Sequence, residues 1–428
     1  MGRTVLTSSS SRTLDGPLAA ALYVCAVTIT AVLVCASGSA GEATAPFFNA
    51  RKHQAEYVGP GREERPPSDL HEIEIGYFGP SDPDDPRAGD MWRAAELAVA
   101  DANAEGGVRG KPIRLVTAWS GNPWQAAVKQ LTDLVFVRKV WAIVGGADSA
   151  SSHLAEQVVA KANVPLVCPV SSDKTVNLAN VPWTFAVVPG DQLLAPLLVD
   201  AMAQQLAPRR LARLTTDDHD SRMFSRELDH ALQKRQMAVA FDFVLPAASP
   251  DFSDAIARAV GADPDAVMVI ANTEDSARLV KSLRVSGFQG LLVGGPGMGR
   301  RAFLNAAGGA GEGAIFPLLF DAGQSPKNEF VTRFRKAHGC EPDFAAAHTY
   351  DAVRLTVEAI RVGGLNRARI RDAIAGLSPW NGVSGRITWD GLGSNTRSAQ
   401  VGTIREGCFQ VAPKPLAPPS SPPRSAEP

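Results

Sequence analysis

Glycine and serine residues follow one predicted strand in an arrangement suited to binding an anion. The apolar segment 142–144 is followed by a glycine pair and then by Ser149, Ala150 and Ser151. Glycine lets a backbone approach a ligand closely, and the helix predicted to follow presents unbonded amide groups and the positive end of its dipole. These groups could hold a carboxylate without a lysine or arginine. The same residues would also serve as a helix cap through Asp148 or Ser151.

A second loop of the same kind follows the next predicted strand, 166–168, where Pro169 precedes Val170, Ser171 and Ser172. In an open parallel sheet, ligands bind beyond the carboxyl ends of the strands, at the N-termini of the following helices. Two hydroxyl-rich loops after neighbouring strands therefore favour a ligand cradle over two independent caps.

Acidic or amide side chains follow two later strands, and a glycine-rich loop follows a third. These loops contain Asp220, then Asn272, Thr273 and Glu274, and then Pro296 in a glycine-rich stretch. The acidic groups could receive a cationic or hydroxylated part of a ligand. Helix capping and solvated turns are the alternative interpretation.

Signals for catalysis or metal binding are weak. The sequence has neither an HExxH pair nor a G-x-S-x-G turn after a strand. It also lacks the cysteine and histidine spacing of a zinc site. His219 stands among Asp217, Asp218 and Asp220, where it could bind a metal or relay protons. We predict a non-enzymatic protein with no catalytic residues, no metal site and no cofactor. A hydrolase using Ser149 or His219 is the alternative.

Composition favours an exported protein of two domains. The chain has 428 residues, of which 20% are charged, and a net charge of −1, so no global field recruits nucleic acid. Residues 18–36 carry no charge and follow Arg3 and Arg12, as in a leader or a membrane anchor. We interpret 1–45 as a signal peptide or anchor, and we expect a periplasmic or extracytoplasmic protein, with 18–36 as the segment that would anchor it.

The remaining segments outside the predicted folded body are polar and rich in proline. Residues 46–70 read as a disordered or extended linker, and 412–428 as a disordered tail. Cys168, Cys340 and Cys408 lie outside the leader. A disulfide between one pair is possible after export, and the sequence does not specify the pair.

Strand-length apolar segments alternate with amphipathic helical segments from residue 73 to about residue 338. This order predicts parallel sheets flanked by helices, and the number of units predicts two lobes. Two helices, 343–363 and 367–376, follow, and then 385–389 and 399–404 are predicted to form a hairpin.

Several motifs follow one another in order along the predicted folded body. The N-terminal motif is Gly76-x-x-Gly79-Pro80, followed by Ala94–Ala98 and Gly106-Gly107. Further motifs are Phe330-x-x-Arg333-Phe334, Glu341-Pro342-Asp343, Tyr350-Asp351-Ala352, and Gly382-x-x-Gly385-x-Ile387-x-Trp389-Asp390. Together these motifs resemble the leucine/isoleucine/valine-binding protein family, which comprises type I periplasmic solute-binding proteins of ABC importers. The resemblance covers residues 71–411.

The resemblance implies a fold of two α/β lobes, each a mostly parallel sheet flanked by helices, with three interlobe crossings. We place the N-terminal lobe at 71–189 plus 320–376 and the C-terminal lobe at 190–319 plus 377–411. It also implies that the two serine-rich loops, at Ser149 and Ser172, hold a ligand carboxylate. The expected partners are a small-molecule ligand and an ABC permease, with the protein itself a monomer.

The other half of the family's amino-acid site is altered here. The position of the glutamate that receives the ligand ammonium falls at Pro296, and pocket tyrosines fall at Ala88, Asp220 and near Thr273. Asp220 or Glu274 could replace the lost acceptor. We expect capture of an amino acid, carboxylate or amide by interlobe closure. A membrane-tethered ligand sensor with the same fold is the alternative.

Overall fold

A computed structural model of the protein describes residues 56–67, 69–120, 123–178, 181–206, 210–324 and 328–413. The predicted leader 1–45 and residues 414–428 of the predicted tail lie outside these ranges. None of the helices in the described ranges is long and apolar enough to cross a membrane.

The strands form two large sheets and one small hairpin. In chain order they are β1 (Ile73–Phe78), β2 (Ile113–Thr117), β3 (Ile143–Gly145), β4 (Leu166–Cys168), β5 (Thr184–Pro189), β6 (Leu211–Thr216), β7 (Val239–Leu245), β8 (Ala266–Ile270), β9 (Leu291–Gly294), β10 (Ile315–Leu318), β11 (Trp380–Gly382), β12 (Gly385–Ile387), β13 (Ser394–Asn395), β14 (Gln400–Arg405) and β15 (Cys408–Val411).

Helices connect most of these strands. They are α1 (Gly89–Ala104), α2 (Pro123–Thr132), α3 (Ser149–Ala162), α4 (Thr175–Leu178), α5 (Asp191–Leu206), α6 (His219–Lys234), α7 (Ser253–Gly261), α8 (Thr273–Val285), α9 (Arg301–Ala307), α10 (Glu329–His338), α11 (Phe344–Gly363) and α12 (Arg367–Gly376). A π-helical turn, Asp133–Val137, continues α2, and short 3₁₀ turns lie at Pro296–Gly299 and Gly308–Gly311.

The first sheet has the order β13-β5-β4-β3-β1-β2, with parallel pairing throughout. The second has the order β15-β14-β10-β9-β8-β6-β7 and is parallel except at β14, which runs antiparallel to β10 and β15. Each is covered on both faces. In β3, for example, Val144 packs with α1 and α11, whereas Ile143 faces α3 and the π-helical turn. The prediction of mostly parallel sheets flanked by helices is confirmed.

The predicted hairpin between 385–389 and 399–404 is wrong. Strand β12 pairs with β11, and β14 pairs with β10, where Thr403 lies opposite Ile315. The two predicted arms therefore belong to different sheets. The partner of β14 lies far away in the sequence.

Strand β13 joins the first sheet beside β5, so the chain is still in this sheet at Ser394. That pairing differs from the predicted lobe boundary at residue 376, which assigned 377–411 to the second lobe. The other predicted lobe boundaries stay predictions.

Part of the predicted linker 46–70 packs against the first sheet's helices. Tyr57 is only 4% exposed and lies edge-on against Trp183, with ring centroids 4.5 Å apart. Arg62 forms an ion pair of 2.7 Å with Asp372 on α12. A single tyrosine in a polar segment forms no hydrophobic pattern, and the burial of Tyr57 depends on Trp183, which is distant in sequence. The sequence therefore does not predict this packing.

The three cysteines outside the leader are free thiols in the described part of the chain. Burial raises the pKa of Cys168 to about 12. This thiol is therefore a buried apolar group rather than a nucleophile.

Candidate ligand-binding site

The glycine pair Gly145-Gly146 and the capping residue Asp148 determine the backbone conformation at the N-terminus of α3. Gly145 and Gly146 have positive φ angles, and a Cβ at Gly145 would lie 2.3 Å from the carbonyl oxygen of Phe78 on β1. Only glycine fits there. Asp148 then accepts a hydrogen bond of 2.7 Å from the amide of Ser151, which closes a capping box. The amides of the first two helical residues remain for another partner.

That partner is a carboxylate from the other side of the cleft. Asp220, the second residue of α6, accepts hydrogen bonds from the Ser149 amide at 3.0 Å and the Ala150 amide at 3.2 Å. Burial, together with the nearby carboxylate of Asp148, raises the pKa of Asp220 to about 7, while the Ser149 amide opposes the rise. Helix α6 connects strands of the second sheet, and α3 connects strands of the first. The two helices thus contact each other at the predicted anion site.

Two further contacts join α6 to the loop after β4. His219 Nε2 lies 2.9 Å from Asp173 Oδ2, and Lys174 Nζ lies 2.6 Å from Glu227 Oε1. Glu227 is largely buried, with 12% of its side chain exposed. Three polar contacts therefore close one edge of the cleft between the sheets.

Asp173 also binds groups within the first lobe. Its Oδ2 lies 3.1 Å from His153 Nε2, and Thr175 donates its amide to Oδ1 at 2.8 Å. Burial disfavours the charged form of Asp173, but hydrogen bonds from His153, His219 and Thr175 lower its pKa overall. Hydrogen bonds to Asp173 and Glu156 raise the pKa of His153 to about 9.

Asp191, the first residue of α5, adds a buried carboxyl group to this edge. It is 2% exposed, and its Oδ1 has no hydrogen-bond partner among the described residues. Burial raises its pKa well above the ordinary value, and the carboxylates of Asp220 and Asp173 add to the rise. The cleft edge is therefore rich in buried acidic groups.

Arginine pairs join the sheets at a second edge. Arg300, directly before α9, lies 2.9 Å from Asp343 at the start of α11, and Arg301 lies 2.6 Å from Asp90 on α1. Asp343 also caps α11 through the Ala346 amide at 3.0 Å. A cavity of about 490 Å³ opens beside these pairs, lined on both sides by charged residues.

A family model described as periplasmic binding protein matches residues 72–407. The chain belongs to the periplasmic binding protein family. The predicted family resemblance is confirmed.

Known members resemble the chain over most of its length. The Leu/Ile/Val-binding protein of Escherichia coli is 23% identical over 306 residues, which are 71% of this chain and 82% of that protein. An amino acid binding protein of Pseudomonas aeruginosa is 23% identical over 331 residues, which are 76% of this chain and 87% of that protein.

Solved structures show the same two-lobed fold. A branched-chain amino acid transporter substrate-binding protein from Streptococcus pneumoniae, in complex with isoleucine, has a TM-score of 0.73 and 24% identity, covering 80% of this chain and 99% of that one. A solute-binding protein from R. palustris, in complex with benzoate, has a TM-score of 0.72 and 16% identity, covering 79% and 95%. The predicted two-lobed type I fold is confirmed.

Within this periplasmic binding protein, three predicted site residues meet. Ser149 and Ala150 contact Asp220 through their amides rather than through a hydroxyl. The Ser151 hydroxyl is used in the capping box, and the Ser171 hydroxyl bonds to that of Ser152.

The other predicted residues have smaller or different roles. Val170 and Ser172 are half-buried in the loop after β4. Asn272 caps α8 by accepting from Asp275 at 3.0 Å, and Thr273 bonds weakly to the carbonyl of Gly297 at 3.5 Å. Glu274 is exposed, and Pro296 begins a 3₁₀ turn.

Sequence reasoning missed His153 and Asp173 as parts of one cluster. His153 comes four positions after Ser149, so both lie on one face of α3. That spacing was the available signal. The approach of His219 depends on contact between the lobes, which no local pattern records.

Proposed function

We propose that this protein captures a small polar ligand, an amino acid, carboxylate or amide, by closing its two lobes, and presents it to an ABC permease outside the cytoplasmic membrane. The observation that carries this proposal is the contact of Asp220 with the Ser149 and Ala150 amides. It brings the two lobes together at the strand ends where ligands bind in such folds.

Among these ligand classes, we favour an amino acid. Its carboxylate can replace Asp220 on the two amides, because a helix N-terminus accepts any carboxylate. The displaced Asp220 and the buried Asp191 then face its ammonium group, which compensates their desolvation. Relatives bind amino acids according to their names, which agrees with this choice.

Closure needs no covalent chemistry. A ligand that contacts both lobes stabilises the closed state through its differential affinity for that state. Without ligand the closed state is less stable than with ligand, because closure buries the carboxyl group of Asp220, and this burial is costly at neutral pH. We expect a monomer that a permease recognises in its closed form.

Thermal-shift and calorimetric screening tests the proposal. The purified exported protein is screened against amino acids, monocarboxylates, amides and ureas, and a binder raises the melting temperature by mass action. An amino acid should bind in 1:1 stoichiometry. Asp220→Ala should weaken it, whereas Glu274→Ala, at an exposed position, should not. Equal affinity of both variants and the unmodified protein for every hit would refute the assigned site.

A further inference from the structure

The cleft contains one cluster of metal-ligand atoms among the described residues. One ligand atom from each of His153, Asp173 and His219 lies within 4.8 Å of the other two. Nε2 of His153 and Nε2 of His219 lie 3.1 Å and 2.9 Å from Asp173 Oδ2. Asp173 is 3% exposed, and about a quarter of each histidine side chain is exposed. An ion could therefore enter, and water would be excluded from the carboxylate side.

Three separate elements supply these atoms. His153 lies in α3, Asp173 lies in the loop after β4, and His219 is the first residue of α6. The first two belong to the part of the chain that forms the first sheet, and the third begins a helix of the second. An ion at this cluster would have ligands from both sides of the cleft.

The surrounding groups hold the cluster as a metal site requires. His153 Nδ1 lies 3.2 Å from Glu156 Oε2, which leaves Nε2 directed at the cluster centre. A carboxylate behind a metal-binding histidine fixes its orientation and raises its basicity. Thr175 orients Asp173 by donating its amide to Oδ1 at 2.8 Å and its hydroxyl to Oδ2 at 2.6 Å, and this hydroxyl also lies 3.0 Å from His153 Nε2.

Charge also favours a cation here. Glu156 is 5% exposed, and its Oε1 has no hydrogen-bond partner among the described residues. Asp173 and Glu156 are two buried carboxyl groups, each within hydrogen-bond distance of His153, and a divalent ion bound at the cluster would compensate their negative charge.

We propose that His153, Asp173 and His219 form a transition-metal site that spans the cleft and links the two lobes. Two imidazoles and one carboxylate suit Zn²⁺, Co²⁺ or Ni²⁺, whereas Ca²⁺ and Mg²⁺ prefer oxygen ligands throughout. Tetrahedral ligands about 2 Å from an ion lie roughly 3.3 Å apart. The distances from Asp173 Oδ2 to Nε2 of His219 and His153, 2.9 and 3.1 Å, therefore need to increase only slightly. The fourth position is left for water.

The experiment uses untagged protein freed of metal with a chelator and then titrated with Zn²⁺ by calorimetry and with Co²⁺ by visible absorption. We expect one ion per chain and the intense absorption band of four-coordinate Co²⁺. His153→Ala and His219→Ala should each weaken binding at least tenfold, since each removes a ligand from one lobe. Glu156→Gln should weaken it about tenfold without changing the stoichiometry.

The matched control is His230→Ala, which removes an exposed histidine from the same helix as His219 and should leave the affinity unchanged. Each variant's melting temperature in chelator checks that it folds. Absence of 1:1 binding would overturn the proposal. So would full affinity in either the His153 or the His219 variant, because that histidine would then not be a ligand of the ion. The titration contains no solute, so its outcome is independent of the proposed function.

Discussion

Asp220 Oδ2 lies 3.0 Å from the backbone nitrogen of Ser149, so a side chain of the second lobe satisfies the helix terminus expected to hold a ligand. The contact is an ion–dipole interaction at a helix N-terminus. Any ligand carboxylate must compete with Asp220 for these amides. A substitution at Asp220 should therefore affect different classes of ligand differently.

Replacing Asp220 should separate two classes of ligand. In Asp220→Ala the two amides are free, so simple monocarboxylates should bind more tightly, whereas amino acids lose the group that faces their ammonium. We expect the affinity ratio of monocarboxylate to amino acid to rise at least tenfold, as measured by calorimetry. An unchanged ratio would show that Asp220 does not compete for the amides.

A proline at position 149 tests the amide itself. Ser149 is the first residue of α3 and follows an extended Asp148, a context in which proline is tolerated. Ser149→Pro removes the N–H but keeps the helix. A hydrogen bond to a charged group contributes about 1.5–3 kcal/mol, so affinity for a carboxylate-bearing ligand should fall at least tenfold. Ser149→Ala is the control, because it keeps the amide. If both variants bind equally well, the amide is not a ligand contact.

The pH dependence of stability should depend on His348. This buried residue donates from Nδ1 to the Phe344 carbonyl at 2.7 Å, and its Nε2 accepts from Arg397 at 3.2 Å, so it is held neutral. Burial, with the charge of Arg397, lowers its pKa to about 3, whereas the hydrogen bond to Phe344 and the charge of Asp343 oppose the fall. The unfolded chain binds the proton near pH 6.5. Stability should therefore fall as pH drops from about 6.5 towards 3, by roughly 1 kcal/mol per unit.

Urea unfolding of His348→Gln against the unmodified protein measures this effect. The two curves of unfolding free energy against pH should converge as the pH falls below 6.5. The control is His230→Gln, at an exposed position, and its curve should run parallel to that of the unmodified protein. Parallel curves for His348→Gln would contradict the prediction.

Removing Arg300 should strongly destabilise the fold. Its guanidinium is 2.9 Å from Asp343, a residue only 3% exposed, and an uncompensated buried carboxylate costs about 3–5 kcal/mol. Arg300→Ala should lower the free energy of unfolding by that amount in a denaturant titration. Arg258→Ala removes an exposed pair with Asp254 and should change it by less than about 1 kcal/mol. Similar losses in the two variants would show that burial does not decide the effect.

Local sequence predicted the elements well but not their long-range pairing. The strand Leu166–Cys168 is predicted with its observed bounds, because it is a short apolar segment between turn signals. The arms of the predicted hairpin pair elsewhere, since β14 meets β10 across the intervening helices α10, α11 and α12. Such pairing leaves no local pattern.

The site divides in the same way. The sequence pointed to Ser149 and Asp220 separately, each as a contact to ligand, because each follows the end of a strand. Their contact with one another depends on how the lobes approach. The same is true of His219 and Asp173, which lie 46 residues apart in the chain.

The pairing of β13 with β5 affects how the chain acquires its structure during translation. One face of the first sheet is covered by α11, and its edge is completed by β13, yet both are synthesised after β6–β10 have left the ribosome. The nascent N-terminal half therefore exposes apolar side chains such as Ile75 and Val144 until these late segments arrive. Termination before Ser394 would release a chain whose second sheet lacks β14 and β15 and whose first sheet retains an open edge, a form prone to aggregation and proteolysis.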